Sequence, residues 1–399
     1  MKDSFGPLAG LTVLDLSTIV SGGMATSMLA DFGAEVVKVE YPKDGDPLRS
    51  WGPFVNGQSI WWKVVSRNKK SITLNLSLPK GQAMLLDLAG RTDVLVENFR
   101  PGTLEKWELG PEALLKANPR LVVLRISGYG QTGPYRHRPG FGTVAEAMSG
   151  LVAITGFPDG PPIVPPIPLA DEVAGLTGAL AVMMALFARR TSGRGQVIDA
   201  SLYESLFRLL IPHVTQYQML GIQADRTGNQ FPDAAPRNLY RAGDGTWIAI
   251  SATSQRTFER LASAIGRPDL VDDPRFRDNA ARIQHREALD TLLADWMAAR
   301  RQDEILVCLE DSGAVAGPVY DIPRILRDPH YAAREDITTV HDPGMGDIPM
   351  VGIIPRLSVT PGAVKWAGPA LGAHNGEIYT GWLGLDDRTI ADLRAEGVI

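Results

Sequence analysis

The residue that most plainly suggests chemistry is Asp171, which follows the proline-rich stretch GFPDGPPIVPPIPLA and opens a long apolar helical segment. An aspartate at a helix start is usually an N-cap, which accepts hydrogen bonds from the first backbone amides. The same amides and the helix dipole would also hold a carboxylate ionised, as a nucleophile must be at neutral pH. The pattern alone leaves both interpretations open.

A second motif is the glycine-rich segment 128–133, GYGQTG, which has the form GxGxxG and follows a strand-like run. In a dinucleotide-binding turn the third glycine opens a helix whose N-terminus meets the pyrophosphate. Here Gly133 is followed by Pro134, Pro139 and Gly140, which predict a loop. The glycines are therefore expected to let the backbone pass close to a bulky ligand or another segment.

Arg67, Lys69 and Lys70 form a basic group in SRNKKSITL, directly before a strand-like run. Such a group can neutralise a phosphate, although lysine and arginine clusters are usually solvated loop charges. Both interpretations stay open at the level of the sequence.

Other catalytic signatures are missing from the sequence. It contains no GxSxG, GxxxxGK[ST] or HExxH motif, which argues against serine hydrolases, P-loop proteins and zincins. The six histidines are scattered without metal-ligand spacing, so no metal is predicted. Cys308 is the single cysteine, which excludes an intrachain disulfide and a cysteine-based zinc site.

The elements that must position these residues alternate along the amino-terminal half. Leu11–Leu16 and Glu35–Glu40 are typical of buried strands, and Met24–Phe32 between them has helical composition. The alternation continues through strand Ser71–Leu76, helix Pro79–Ala89, strand Asp93–Glu97, helix Thr103–Trp107 and strand Leu121–Ser127. This order predicts an α/β fold with a parallel sheet that helices cover on both faces.

The composition changes after Gly221, beyond a second long helix predicted over Asp199–Leu220. Asn238–Ala242 and Thr246–Ser251 flank an Asp-Gly turn and predict a hairpin. We expect four segments: a large domain over residues 1–200, a linker over 201–225, a smaller α+β domain over 226–328, and a return segment over 329–399 that completes the large domain.

Composition narrows the class of protein further. The chain has 399 residues, 44% of them hydrophobic, and a formal net charge of −5, so no nucleic-acid or anionic-membrane partner is predicted. The amino terminus lacks a signal peptide pattern, and the apolar run Val173–Ala188 is shorter than a membrane span. We expect a cytoplasmic protein in which this run is a buried helix.

Ten phrases, in order, resemble the class III (family III) CoA transferases, the group of formyl-CoA and carnitine CoA transferases. The resemblance extends from Pro7 to Ile399 and includes PLAGLTVLDLS, DFGAEVVKVE, GDPLR, SRNKKSITLNL, VENFRPGTLEKWELG, GYGQTGPY, PLADEVAGL, TSGRGQVIDASLYES, AGPVYDI and ALGAHNGEIY. It implies a Rossmann-like large domain built from both chain ends, a smaller domain between them, and an interlocked-ring homodimer. The substrates it implies are coenzyme A as an acyl-CoA and a small carboxylic acid.

The resemblance also assigns roles to residues. Asp171 is the nucleophile of this family, which works through aspartyl anhydrides and an aspartyl-CoA thioester. Residues that the resemblance places along coenzyme A are Ile19, Val20, Tyr41, Leu74, Asn75, Leu76, Ser77, Asn98, Phe99, Arg100, Lys106, Arg138, Pro139, Gly140 and Phe141.

Two departures from relatives narrow the expected reaction. The α-methylacyl-CoA racemases use a histidine where this chain has Phe141. Phenylalanine cannot exchange a proton, so racemisation is not expected unless His137 takes the place of that histidine. The oxalate-using branch has a run of glycines where TGNQFPDAAPRNLY has only Gly228. The second departure argues against oxalate as the acceptor and leaves other carboxylic acids open. The resemblance to the family suggests a donor such as succinyl-CoA and a dicarboxylate or hydroxy-dicarboxylate acceptor. An acyl-CoA racemase or isomerase and an NAD-dependent oxidoreductase are the alternatives.

Overall fold

The computed structural model describes residues 5–399, which divide into two compact units. The first unit combines the described residues up to Leu151 with Val164–Val214 and His330–Ile399, and the second combines Val152–Ile163 with Thr215–Pro329. The strands are β1 (Thr12–Asp15), β2 (Glu35–Glu40), β3 (Phe54–Val55), β4 (Gln58–Ser59), β5 (Lys69–Thr73), β6 (Val94–Glu97), β7 (Val122–Ser127), β8 (Val197–Ser201), β9 (Arg237–Arg241), β10 (Trp247–Ser251), β11 (Ala316–Pro318), β12 (Ile337–Asp342) and β13 (Gly346–Val351).

Helices account for most of the remaining regular structure. They are α1 (Ser21–Asp31), α2 (Ile60–Val65), α3 (Pro79–Ala89), α4 (Thr103–Lys106), α5 (Pro111–Ala117), α6 (Gly142–Met148), α7 (Leu151–Ile154), α8 (Leu169–Ser192), α9 (Leu202–Phe207), α10 (His213–Leu220), α11 (Gln255–Ala264), α12 (Asn279–Gln284), α13 (Arg286–Ala298), α14 (Gln302–Asp311), α15 (Ile322–Ile325), α16 (Pro329–Ala333), α17 (Asn375–Leu383) and α18 (Asp387–Ala395). Short 3₁₀ turns cover Pro47–Ser50 and Pro268–Val271.

The first unit is organised by a parallel six-stranded sheet of order β5-β2-β1-β6-β7-β8. Its strands are apolar on both faces because each face packs against helices. Leu14 on β1 faces a core that includes Leu85 of α3 and Ile378 of α17, whereas its neighbour Val13 faces a core that includes Ala25 of α1 and Ala174 of α8. The predicted fold class is confirmed.

Helix α8 crosses one face of this sheet and is long and apolar enough, by length and composition, to pass for a membrane span. One of its faces is nevertheless buried against α1. A Cβ at Gly175 would lie 2.7 Å from the carbonyl oxygen of Ser21, so a glycine is required for the two helices to approach this closely. This helix carries Asp171 in its first turn.

The second unit has a three-stranded antiparallel sheet of order β11-β10-β9. Its β9–β10 hairpin is the one predicted from the Asp-Gly turn. Helices α11, α13 and α14 pack on the sheet through a separate core that includes Ile248, Phe258 and Leu293. The domain boundaries at residues 200, 225 and 328, the interlocked homodimer and the cytoplasmic location stay predictions.

The long helix predicted over Asp199–Leu220 is wrong. Asp199 lies in strand β8, at the edge of the parallel sheet, and the rest of the segment forms the two short helices α9 and α10. Pro212 stands between these two helices, where a proline cannot donate the backbone hydrogen bond of a continuous helix.

Candidate active site

The candidate site lies at the carboxyl ends of the parallel strands, next to the switch in chain direction. From β1 the chain builds the sheet outwards through β2 and β5, and then returns to add β6 on the other side of β1. Such a switch point opens a crevice between the two loops that leave the adjacent strands. Thr18 follows β1 and Asn98 follows β6, so both residues lie at this crevice.

Asn98 joins the two loops through its side-chain amide. Its oxygen accepts the Thr18 backbone amide at 2.7 Å, and its nitrogen donates to the Thr18 carbonyl oxygen at 2.7 Å. The same nitrogen donates to the Ser21 hydroxyl at 3.1 Å. Asn98, which the resemblance named as a coenzyme A contact, therefore also fixes the backbone of the loop opposite.

Two cavities open at this edge of the sheet, and Thr18 lines both of them. The Asp171 cavity has a volume of about 630 Å³ and is lined by Thr18, Ile19, Ser21, Trp51, Asn98, Ile126, Ser127, Gly128, Gly140, Phe141, Gly142, Thr143, Glu146, Pro165, Pro166, Ile167, Pro168, Asp171 and Leu202. The Tyr41 cavity has a volume of about 210 Å³ and is lined by Leu16, Thr18, Lys38, Val39, Glu40, Tyr41, Gly45, Asp46, Leu74, Asn75, Leu76, Ser77, Phe99 and Trp107.

The structure distributes the predicted coenzyme A contacts over these two cavities. Ile19, Asn98, Gly140 and Phe141 line the Asp171 cavity. A second group, formed by Tyr41, Leu74, Asn75, Leu76, Ser77 and Phe99, lines the Tyr41 cavity.

Five of the predicted contacts line neither cavity. Val20 is buried in a small cluster with Leu48 and Trp62. Arg100, Lys106 and Pro139 are exposed, and exposed Arg138 lies over the ring of Tyr135 with its guanidinium carbon 3.6 Å from the ring centroid.

Asp171 does not cap its helix, contrary to the N-cap interpretation. Helix α8 begins at Leu169, its N-cap is Pro168, and no side chain caps it, so Asp171 is the third residue of the first turn. The glycine-rich turn between β7 and α6 explains how the carboxylate is seated. A Cβ at Gly142 would lie 2.6 Å from Asp171 Oδ2, so a side chain at position 142 would displace the carboxylate oxygen.

The electrostatic surroundings of Asp171 are unusual for a carboxylate. Burial, together with the negative charges of Glu146 and Glu172, raises its pKa from 3.8 to about 6, although a hydrogen bond from the Ser21 hydroxyl partly opposes this. Among the described residues that line the cavity, none is lysine, arginine or histidine. The helix dipole, which one interpretation of the sequence invoked to hold this carboxylate ionised, does not lower its pKa below the usual value, because burial and like charges outweigh it. The carboxylate is still ionised at pH 7.

The loop prediction for GYGQTG is confirmed, and no helix follows Gly133. A Cβ at Gly128 would lie 3.2 Å from the Cα of Gly140, so the glycines allow two backbone segments to pass close together. Phe141, at the end of this loop, is 68% exposed and lines the Asp171 cavity. No proton-exchanging side chain stands at that position.

A cluster of buried charges spans three neighbouring strands, and one of its members, Lys38, lines the Tyr41 cavity. Asp15 on β1 and Lys38 on β2 are register partners, whereas Lys69 on β5 is the register partner of Val36 and reaches Asp15 through its side chain. Lys69 Nζ lies 3.0 Å from Asp15 Oδ2, and Lys38 Nζ lies 3.0 Å from Asp46 Oδ2. Each charge is thus matched by an opposite one.

The phosphate-binding interpretation of Arg67, Lys69 and Lys70 is wrong, because all three are engaged inside the protein. Arg67 pairs with Asp31 at 2.6 Å, and Lys69 is fully buried beside Asp15. Lys70 bridges Glu35 and Glu377 at 2.5 and 2.7 Å.

Sequence reasoning missed much of the lining of these cavities, including four residues that bear on their chemistry. They are Ser21, Trp51 and Glu146, which line the Asp171 cavity, and Asp46, which lines the Tyr41 cavity. Asp46 Oδ1 accepts the backbone amide of Ile19 at 3.2 Å, and Ile19 has a φ of 63°, a left-handed conformation that is rare for a β-branched residue. The GDPLR phrase containing Asp46 was a signal for this role, whereas nothing in the sequence singles out Glu146.

No group of three or more potential metal ligands occurs among residues 5–399. The prediction that the protein needs no metal is not tested by this.

Comparison with known proteins identifies the family. The sequence profile described as CoA-transferase family III matches residues 8–375. The chain belongs to CoA-transferase family III. It is 47% identical to the succinyl-CoA–D-citramalate CoA-transferase of Chloroflexus aurantiacus, over 98% of each chain, and 41% identical to the beta subunit of the succinyl-CoA–L-malate CoA-transferase of that organism, also over 98% of each chain.

A solved structure from the same family has the same fold. A CaiB/BaiF family protein from Brucella suis superimposes with a TM-score of 0.83 at 32% identity, covering 95% of this chain and 100% of that one. The protein is thus a CoA transferase, and the NAD-dependent alternative is excluded.

Proposed function

We propose that this CoA transferase moves coenzyme A from succinyl-CoA to a hydroxy-dicarboxylate such as citramalate or malate, with Asp171 as the nucleophile. The observation that carries the proposal is the half-buried Asp171 carboxylate, with its raised pKa, in a cavity that shares the lining residue Thr18 with the Tyr41 cavity. The relatives named above act on these acids. The nucleotide of coenzyme A would occupy the Tyr41 cavity, and the pantetheine would cross Thr18 to bring the thioester to Asp171.

The reaction proceeds in four substitutions. An Asp171 oxygen attacks the donor acyl carbon, the C–S bond breaks, and its electron pair leaves on the sulfur as CoA thiolate. The thiolate then attacks the aspartyl carbonyl carbon of the anhydride, and the donor leaves as a carboxylate. The acceptor carboxylate attacks this aspartyl-CoA thioester and expels the thiolate again. Finally, the thiolate attacks the acceptor acyl carbon, which releases the new acyl-CoA and the Asp171 carboxylate.

The local structure suits this chemistry. A carboxylate can form an anhydride with a thioester and be regenerated, which conserves the thioester bond that hydrolysis would lose. The wall around Asp171 is largely apolar, with Pro165, Pro166, Ile167, Pro168, Trp51 and Phe141 in its lining, which suits intermediates that water would hydrolyse. Phe141 also leaves no proton carrier for racemisation, so the transferase should not exchange the α-proton of 2-methylacyl-CoA esters with deuterium oxide.

The first experiment traps the covalent intermediate. Incubation with succinyl-CoA followed by borohydride should reduce an adduct on Asp171 to the alcohol, seen by mass spectrometry only in the peptide that contains residue 171. Asp171→Asn should retain coenzyme A binding by calorimetry and lose transfer by at least about 10³-fold, because the amide is a very poor nucleophile. Substantial transfer by the Asn variant, with deamidation excluded by mass, would refute the role of Asp171.

The second experiment identifies the acceptor. Succinyl-CoA is offered with D-citramalate, L-malate, glutarate, oxalate and acetate in parallel, and new CoA esters are read by mass spectrometry. We expect the esters of citramalate or malate to form fastest. Transfer to acetate alone would contradict the proposed acceptor class while leaving the CoA transferase activity in place.

A further inference from the structure

Helix α6 brings a second carboxylate to the nucleophile. Gly142, its first residue, lies against Asp171 Oδ2, and Glu146, one helical turn later, lines the same cavity. Residues four apart lie on the same face of a helix. Glu146 is only 1% exposed, and its Oε1 accepts the backbone amide of Ala170 at 3.2 Å. The bond satisfies one of the amides that α8 leaves unpaired at its start.

No cation compensates this pair within the described part of the cavity wall. The cations on neighbouring elements are engaged elsewhere: Arg125 on β7 pairs with Glu97 and Glu105, and Arg189 at the far end of α8 pairs with Asp93. Acidic groups on those elements are also directed to other partners. Glu204 on α9 accepts the hydroxyls of Ser201 and Tyr203, and Asp199 on β8 accepts the Gln131 amide.

We propose that Glu146 is a positioning residue whose buried negative charge disfavours the free carboxylate of Asp171 and so drives Asp171 toward its neutral, covalently acylated form. The inference rests on the proposed function of Asp171. When succinyl-CoA becomes aspartyl-CoA, the negative charge leaves Asp171 and departs with succinate. Repulsion between the two buried carboxylates is relieved at that step, and the aspartyl-CoA thioester is favoured over free enzyme.

The same repulsion contributes to the raised pKa of Asp171, after burial itself. Removing the charge should therefore move two independent quantities in the same direction. It should lower the ratio of aspartyl-CoA to free enzyme at fixed succinyl-CoA and succinate, and it should lower the pH at which transfer is half-maximal. A shift of about one pH unit corresponds to a tenfold change in the ratio.

The test compares Glu146→Gln with two matched variants. Glutamine keeps an oxygen for the Ala170 amide and removes only the charge, so we expect about a tenfold lower ratio and a midpoint about one pH unit lower. Glu146→Asp keeps the charge and should retain most of both quantities. Glu172→Gln removes a charge next to Asp171 in sequence but outside the cavity lining, and should shift them less than Glu146→Gln does.

The readouts are intact-protein mass spectrometry after acid quench, for the ratio, and initial rates of CoA transfer between pH 4.5 and 8. Thermal unfolding and coenzyme A binding establish that each variant is folded. A folded Glu146→Gln enzyme with an unchanged ratio and midpoint would overturn the inference. Absence of any adduct in the unsubstituted enzyme would instead overturn the role of Asp171.

Discussion

Two aspartates in the same unit, Asp15 and Asp171, have opposite surroundings. Asp15 is fully buried, and burial alone would raise its pKa. Lys38, Lys69 and two hydroxyl groups outweigh the burial and lower the pKa to about 2. Asp171 is less buried, has no cation in its cavity wall, and has a pKa raised to about 6. Burial alone therefore does not determine the pKa of a carboxylate. The compensated aspartate stabilises the sheet, and the uncompensated one is available for reaction.

The largest change in stability should come from removing a cation that compensates the charge of Asp15. Lys69→Met removes a cation 3.0 Å from Asp15 and leaves a buried charge only partly matched. Loss of one partner from a buried ion pair typically costs about 3–5 kcal/mol, so the unfolding transition in urea should move to a much lower concentration. An unchanged urea midpoint would mean that this cluster of charges contributes little to the stability of the fold.

Removing the charge of Asp171, which no cation compensates, should instead increase the stability of the protein. The folded protein holds the proton of Asp171 more tightly than the unfolded chain does, so ionising this group destabilises the fold as the pH rises from about 4 to 6. Asp171→Asn should therefore raise stability by roughly 2–3 kcal/mol above pH 6 and by little near pH 4.

Thermal unfolding between pH 4 and 8 measures this difference. Asp159→Asn changes an exposed aspartate and serves as the control, with no comparable gain expected. An Asp171→Asn protein that is no more stable than the unsubstituted one at pH 7 would contradict the raised pKa of Asp171.

A smaller effect should separate charge from hydrogen bonding at Asp46. Asp46→Asn keeps an oxygen for the Ile19 amide but loses the charge opposite Lys38, whereas Asp46→Ala loses both. We expect only Asp46→Ala to release Ile19 from its left-handed conformation and to weaken coenzyme A binding, by about tenfold or 1.4 kcal/mol. Isothermal titration calorimetry measures this. An equal loss of coenzyme A affinity in the two variants would assign the effect to the charge of Asp46 alone.

The smallest effect is expected at Lys70, whose partners are partly exposed. Lys70→Ala should change stability by less than about 1 kcal/mol, since pairs near solvent contribute little. Its affinity for coenzyme A should equal that of the unsubstituted transferase. A large loss of affinity would restore the phosphate-binding interpretation of the basic group.

The sequence predicted the sheet better than it predicted the charges. Glu35–Glu40 and Pro79–Ala89 have the predicted bounds, because an apolar run between turns and a proline at a helix start are local signals. Lys69 has no such signal: a lysine in a basic run is usually solvated, and only the strand order brings it beside Asp15. Asp171 was found through the resemblance, whereas its neighbour Glu146 is brought near by the packing of α6 on α8, which no local pattern encodes.

The helices α17 and α18 complete one side of the same sheet that begins with β1. Ile378 and Ile390 share a core with Leu14, and the backbone amide of Asn75 donates to the carbonyl oxygen of Val398. During synthesis, Leu14 leaves the ribosome long before these partners exist, so this face of the first strands stays only partly covered, by helices such as α3, while most of the chain is made. Contacts this distant in sequence close late and slowly. The nascent transferase therefore exposes part of this apolar surface until α17 and α18 have been made.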